Sequence, residues 1–307
     1  MLREFKYADL LDDDVFKLVF GRESTKDVMI EFLNQVIPDR NIVDLEFLDK
    51  EMHPVERDSK GTVYDMFCRT DDGSRIIVEV QRRKQPFYPE RALYYSTFQI
   101  QRQVEAGAEY YDFLPVYVVS ILDFKMDDDP ENRQVKSVYR IYEETSHRLL
   151  TNRVTFIFLE LEKFQKTLDE LDDDILEGMY FCFKNMATLD ERPEVLKHRV
   201  FGKIFEVSEL LNMDKVTRSK VLDKMTTERD LRNQMRYFKE TTLAEGREQG
   251  LAEGRAKGLA EGREQGRAEG RAEGRAEVVS RMLAAGIEAK VVADALGITV
   301  EECESYK

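Results

Sequence analysis

From Gly246 to Gly274 every fourth residue is glycine, and the tetrads read GREQ, GLAE, GRAK, GLAE, GREQ, GRAE, GRAE and GRAE. A core needs large apolar side chains, and this length supplies only Leu251 and Leu259. Whatever packs must therefore lie elsewhere in the 307 residues. The aromatic residues obey the same division, since only Tyr237, Phe238 and Tyr306 follow Phe205. The main folded domain is thus expected over 1–205, with a helical extension over 206–245, the repeat over 246–277 and a small helical end-cap over 278–307.

Two readings of the repeat stay open. On a helix a period of four drifts by about 40° per unit, so glycine lies roughly opposite alanine and arginine opposite glutamate. Each glycine costs about 1 kcal/mol relative to alanine. Many i,i+4 neighbours, such as Arg263/Arg267/Arg271, carry like charge. A lone helix would be marginal, but two could approach along the small residues and form a homo-oligomer. The other reading is a flexible polar linker. Beyond it, Val278 to Leu296 with Gly286 and Gly297 has the outline of a helix-turn-helix. Too few residues follow for a recognition helix, so an end-cap or dimer contact is preferred.

Before residue 206 helix and strand patterns alternate, as in an α/β domain. Asp13 to Phe20 reads as a short helix with acids at its positive end. Ser24 is a candidate cap for a second helix carrying Val28, Phe32, Leu33 and Val36. Strands are expected over 42–48, 62–69, 75–81, 115–122 and 154–161. Helices are expected over 89–107, 168–186 and most of 194–240.

Net charge excludes one class of function. Lys+Arg is 47 against Asp+Glu 61, a formal charge of -14. Residues 1–205 hold about 29 basic and 41 acidic side chains, nearly all of the imbalance. A general coat for DNA or acidic membrane is excluded, because such binding draws on a net positive field. No apolar run reaches membrane-spanning length. Met1 to Lys6 carries charges where a signal peptide needs an apolar stretch. Cys68, Cys182 and Cys303 lie too far apart for a disulfide framework or a CxxC site. A cytoplasmic location is the expectation.

The chemistry concentrates in one hairpin. Strands 62–69 and 75–81 flank Thr70-Asp71-Asp72-Gly73-Ser74, a turn signal. If the turn centres on Asp72, paired residues sum to 144, and Asp65 faces Glu79. Gln81 then shares the face of Glu79. Opposed like charges destabilise a sheet. A divalent cation would compensate, since Mg²⁺ takes one or two carboxylates plus waters and phosphate oxygens. Arg82, Arg83 and Lys84 follow at once, and a cationic run beside an acidic metal site suits a phosphodiester. The bland alternative is a pair of strand acids on a solvated face.

Asp65 and Glu79-x-Gln81 resemble the PD-(D/E)xK nuclease motif, with glutamine in place of its lysine. More closely, the chain resembles the recombination-promoting nucleases, also described as PD-(D/E)xK-family transposases. Asp13-x-x-Phe16-Lys17-x-x-Phe20-Gly21, Arg91 with Tyr95, Gln103-x-x-x-Gly107-x-x-Tyr110, Pro115-Val116-Tyr117, Ser120 to Phe124 and Glu160-Leu161-x-Lys163-Phe164 carry the likeness over about residues 8–240. It implies a restriction-endonuclease-like core, a mixed sheet flanked by helices, followed by an all-helical C-terminal extension. It also implies DNA hydrolysis dependent on Mg²⁺ or Mn²⁺. Asp65, Glu79 and the Val80 carbonyl would hold the metal. Gln81 can orient water or phosphate but supplies no charge. Asp13 would add a carboxylate or cap its helix, and Arg82, Arg83, Lys84 and Arg91 would meet DNA phosphates. Arg91 is equally suited to a structural ion pair. Gln103 and the three histidines, His53, His147 and His198, read as structural or surface groups. The competing classes are a catalytically silent regulatory protein on the same fold and a toxin or defence nuclease.

Overall fold

The computed structural model describes residues 5–38, 40–48, 51–52, 62–104, 109–127, 129 and 131–306. His53 and Gly107 lie outside them. The chain divides into two compact units, Met1–Glu228 and Arg229–Lys307.

The first unit begins with helix α1 (Asp13–Phe20). Its cap is Asp12, whose side chain accepts the N–H groups of Asp14 and Val15 at 2.9 and 3.3 Å. The capping role considered for Asp13 thus falls to its neighbour. Val15, Phe16, Val19 and Phe20 bury one face. This leaves Asp13 and Lys17, one turn apart, on another stripe. Helix α2 (Lys26–Val36) follows a 3-10 turn, Glu23–Thr25. Ser24 lies inside that turn and does not cap. The hydroxyl of Thr25 donates back to the Leu18 and Arg22 carbonyls instead.

Six strands form a mixed sheet in the order β1 (Leu45–Phe47), β4 (Met66–Thr70), β5 (Arg75–Gln81), β6 (Val116–Leu122), β8 (Leu149–Glu160), β7 (Lys136–Tyr142). The pairings β5/β6 and β6/β8 are parallel, and the others antiparallel. Short strands β2 (Glu51–Met52) and β3 (Thr62–Val63) pair separately. Parallel neighbours need crossovers, and helix α3 (Tyr88–Gln101) supplies the one from β5 to β6. Gln103 is structural, as expected: it exchanges bonds with the Leu114 backbone at 2.9 and 3.2 Å, tying the end of α3 to the entry of β6.

Alternate residues of β5 serve opposite layers. Ile76, Val78 and Val80 join the larger core with α1, α2, α4 (Ile175–Asn185) and α5 (Arg199–Ser208). Its centre is aromatic: Phe16, Phe20, Phe32 and Phe183 lie with ring centroids 4.8 to 6.5 Å apart. Ile77 joins a smaller core under α3, with Tyr64, Phe67, Tyr88 and Phe98. Period two therefore puts Glu79 and Gln81 on the α3 side.

Three sequence expectations need revision. The strand over 62–69 is broken at Tyr64 and Asp65, because Asp65 turns its side chain to the neighbouring strand. The helix over 168–186 begins only at Ile175, where Asp174 caps it by accepting the Glu177 N–H at 2.9 Å. Residues before it form a separate 3-10 turn, Leu168–Glu170, with its own Thr167/Glu170 capping box. The helical stretch expected over most of 194–240 is interrupted between Ser208 and Asp214, and helix α6 (Lys215–Ala284) starts where the Asp214 carboxylate accepts Val216 and Thr217 N–H, each at 3.0 Å.

Helix α6 continues through the glycine tetrads, so the repeat is helical. In the second unit its end packs with α7 (Ala289–Leu296) and α8 (Val300–Glu304) around Val279, Val292, Ala293 and Cys303. Gly297, at φ 64°, closes α7 in the left-handed conformation that glycine adopts without steric cost. All three cysteines are buried and free. No described helix is long and apolar enough to cross a membrane.

Candidate active site

The hairpin register is the one the sequence implies. Met66 pairs with Val78, Phe67 with Ile77, Cys68 with Ile76 and Arg69 with Arg75, every pair summing to 144. The turn holds this sum. Gly73 N–H donates to the Thr70 carbonyl at 2.9 Å and Thr70 N–H to Ser74 at 3.0 Å, with Gly73 at φ 81°. A three-residue loop with a left-handed last residue is a common hairpin closure.

One rung beyond the ladder the pairing changes character. The sequence implies that Asp65 faces Glu79 as a ladder pair, but the β4/β5 ladder stops at Met66/Val78 and the two acids are not paired across it. Asp65 Oδ2 accepts the Val80 N–H at 2.7 Å, and the Asp65 N–H points at Glu79 Oε1 at 3.4 Å. Each acid thus holds main chain of the opposite strand. The second oxygens remain: Glu79 Oε2 has the Gln81 amide at 3.4 Å and Arg91 at 3.6 Å, both weak contacts.

Glu79 is only 3% exposed. Burial, and next the nearby Asp65 charge, push its carboxyl up to about 8, against a smaller pull from Arg91. Burial also raises Asp65, opposed by its bond to Val80 N–H. Asp13, although exposed at the start of α1, raises both further. A nearly fully buried carboxyl and a half-buried one, both raised above their ordinary values, are under-compensated by the weak Arg91 contact and the more distant Lys17 charge. Among the described residues no group of three or more His, Cys, Asp or Glu side chains is poised to hold a metal. The donor set is a two-carboxylate one, which fits Mg²⁺ with its retained waters and phosphate oxygens better than an all-protein cage.

The nominated cations are differently placed. Arg82 is paired with Asp9 at 2.7 Å, both side chains 17% exposed. Arg83 lies 3.4 Å from Glu228, and Lys84 is exposed. Arg91 sits over the rings of Tyr88 and Tyr95, at 5.0 and 5.4 Å, and bonds Gln85. Its Glu79 contact gives it an ion-pairing role in this arrangement.

Sequence reasoning gave Lys17 no role, although it stood in the quoted motif. Its charge acts on Asp65 and favours the ionised form. The signal was the i,i+4 spacing from Asp13 on α1. His198 caps α5, its Nδ1 accepting Val200 N–H at 3.4 Å, which is a structural task.

A family model described as PD-(D/E)XK nuclease family transposase matches residues 10–237. No curated protein and no solved structure matches the chain.

Proposed function

The chain belongs to the PD-(D/E)XK nuclease transposase family, a family of nuclease hydrolases linked to mobile DNA, and we propose that it is a DNA endonuclease dependent on Mg²⁺ or Mn²⁺. The observation that carries the reading is the Asp65/Glu79 clasp at the end of the β4–β5 hairpin. Two carboxylates, one nearly fully buried, are held together, and among the described residues the ion-pair contact they receive is the weak 3.6 Å one from Arg91 to Glu79.

Asp65 and Glu79, with the Val80 carbonyl, would hold the ion. A bound divalent cation there supplies Lewis-acid charge for a phosphodiester and lowers the pKa of a bound water. The chain's own residues do the rest. The Val80 N–H fixes the Asp65 carboxylate in place, so the donor atoms are preorganised. The Gln81 amide, on the same face as Glu79, orients water or phosphate by hydrogen bonding but carries no charge. Lys17 supplies a positive charge near Asp65 from a different element. That compensates in part for the missing motif lysine. Arg91 and Asp13 shape the field around the pair.

Arg83 and Lys84 are the nominated cations best exposed to DNA phosphates, whereas Arg82 must first part from Asp9. The helical repeat supports a homo-oligomer, with Arg stripes of one copy against Glu stripes of another. A cytoplasmic location fits the buried free cysteines.

Plasmid nicking tests the function. Wild type should nick supercoiled DNA with Mg²⁺ and lose the activity in EDTA, while Asp65→Ala and Glu79→Ala should be inactive with Mg²⁺. Undiminished nicking by both variants would remove the site. A fold-intact protein with no divalent-ion binding would favour the silent regulatory reading, for which Gln81 is the motivating residue.

A further inference from the structure

The cations first nominated for DNA are largely engaged: Arg82 with Asp9, Arg83 with Glu228 and Arg91 beside Glu79. Three others are placed differently. Lys17, Arg22 and Lys220 line an open groove of about 350 Å³ with Asp14, Leu18, Gly21 and Thr217. The groove runs between α1 and the first turns of α6, all within the first unit. Among the described residues none of these three cations forms an ion pair. The one acid in the lining, Asp14, is taken by Lys224, which also reaches Asp12 at 3.3 Å.

Position ties the groove to the candidate centre. A Cβ on Gly21 would lie 2.8 Å from Met66 Cε, so the groove wall touches the residue that follows Asp65. Lys17 lies one helical turn from Asp13, and the charges of both are felt at Asp65. Arg22 and Lys220 are both solvent-exposed. The cations are spread along two elements rather than converging on one point, and only Leu18 offers an apolar surface. Such a lining suits an extended polyanion, whose successive phosphates meet successive charges.

We infer that this α1–α6 groove carries the sugar-phosphate backbone of the DNA strand flanking the scissile phosphate, with Lys17 nearest the Asp65/Glu79 centre and Arg22 and Lys220 farther along. The inference rests on the nuclease reading above. It resolves how a chain with a formal charge of -14 can hold DNA: the attraction is local and lies on one face of two helices.

The test is equilibrium binding of a labelled DNA duplex to the full chain in EDTA, over a series of NaCl concentrations. Arg22→Gln/Lys220→Gln should reduce the slope of log affinity against log salt by about 2, since each lost phosphate contact removes about 0.9. Arg148→Gln removes a charge at the exposed β7–β8 turn, at the sheet end away from Gln81, and should keep the wild-type slope. Both groove positions are exposed, so folding should survive, and equal melting temperatures verify it. The single variants Arg22→Gln and Lys220→Gln should each lose about half the effect. An unchanged slope in the double variant overturns the groove, as does an equal loss in Arg148→Gln. Mg²⁺-dependent nicking by the same wild-type preparation separates the two levels. Nicking with an unchanged slope in the double variant sinks the groove alone, and no wild-type DNA binding at all sinks both.

Discussion

The Asp65 carboxylate accepts the Val80 backbone N–H at 2.7 Å, so the acid on one strand is fixed by the peptide next to the acid on the other. That bond explains why strand β4 does not continue through Asp65. It also explains how two carboxylates that repel each other can stay together without a ladder pair between them.

Metal-free stability should fall as pH rises from about 4.5 to about 8. Glu79 has its folded-state carboxyl raised from 4.5 to about 8, so the folded chain keeps a proton that the unfolded chain has released. Stability from this group is complete below the unfolded value and is lost as pH climbs through the folded one. The total is on the order of a few kcal/mol. Glu79→Gln should flatten the dependence and melt higher than wild type at pH 8 in EDTA. A wild-type melting temperature that is constant across this range would contradict the assignment.

Saturating Mg²⁺ should reverse that trend. An ion that binds the ionised carboxylates competes with the proton, so its affinity rises with pH. Melting temperature should therefore gain more from Mg²⁺ at pH 8 than at pH 5.5, and Asp65→Ala should abolish the gain. Calorimetric titration of the ion at the two pH values reads the same difference directly.

Gln81→Lys would place an ammonium where the amide now lies 3.4 Å from Glu79 Oε2. An opposite charge at this range favours the carboxylate, so the Glu79 titration should move down and the metal-free pH dependence should shrink. The same variant should nick DNA faster than wild type, because the reacting phosphate gains a charge partner. Slower nicking with an unmoved titration would show that residue 81 does not face the pair.

Gly178→Ala tests the core that carries α1. A Cβ there would sit 2.4 Å from Phe201 Cζ and 2.9 Å from Leu196 Cδ2, between α4 and α5. Helix propensity would gain about 1 kcal/mol. Overpacking costs about 1–3 kcal/mol. Net destabilisation of up to about 2 kcal/mol is expected from urea unfolding, since both contacts are with buried side chains.

Solution mass decides the assembly. The full chain should be at least a dimer, and a chain ending at Thr242 should have a smaller assembly state. Leu243, Leu251 and Leu259 are exposed along α6, which leaves apolar area for a second copy to cover. Equal monomer masses for the two chains would leave the repeat as a helix without a partner.

Much of the hairpin was legible because it is local. Strand β5 has the limits its apolar alternation gave, and the turn residues fixed a pairing sum that every rung obeys. The acids were legible as a pair, but their contact was not. Whether Asp65 extends the strand or bends to Val80 depends on a side-chain bond with no sequence signature. Strand β7 escaped notice for a different reason. Lys136 to Tyr142 is an edge strand exposed along much of its length, and its pairing with β8 comes from tertiary context. Lys17 was invisible as a participant because its partner lies 48 positions along the chain. Arg82 looked free because Asp9, its partner, lies 73 positions away.

Gly73 makes no contact with the acidic pair, yet the pair's alignment is set there. Its left-handed backbone closes the loop, and a Cβ on it would lie 2.6 Å from Leu114 Cδ1. From that loop the register runs rung by rung to Met66/Val78 and delivers Asp65 to Val80. The turn is a calibration point, remote from what it calibrates. A screen that scored only lost cleavage would therefore flag Gly73 alongside Asp65 and Glu79, and separating an alignment defect from a chemical one would take a structural readout of the hairpin.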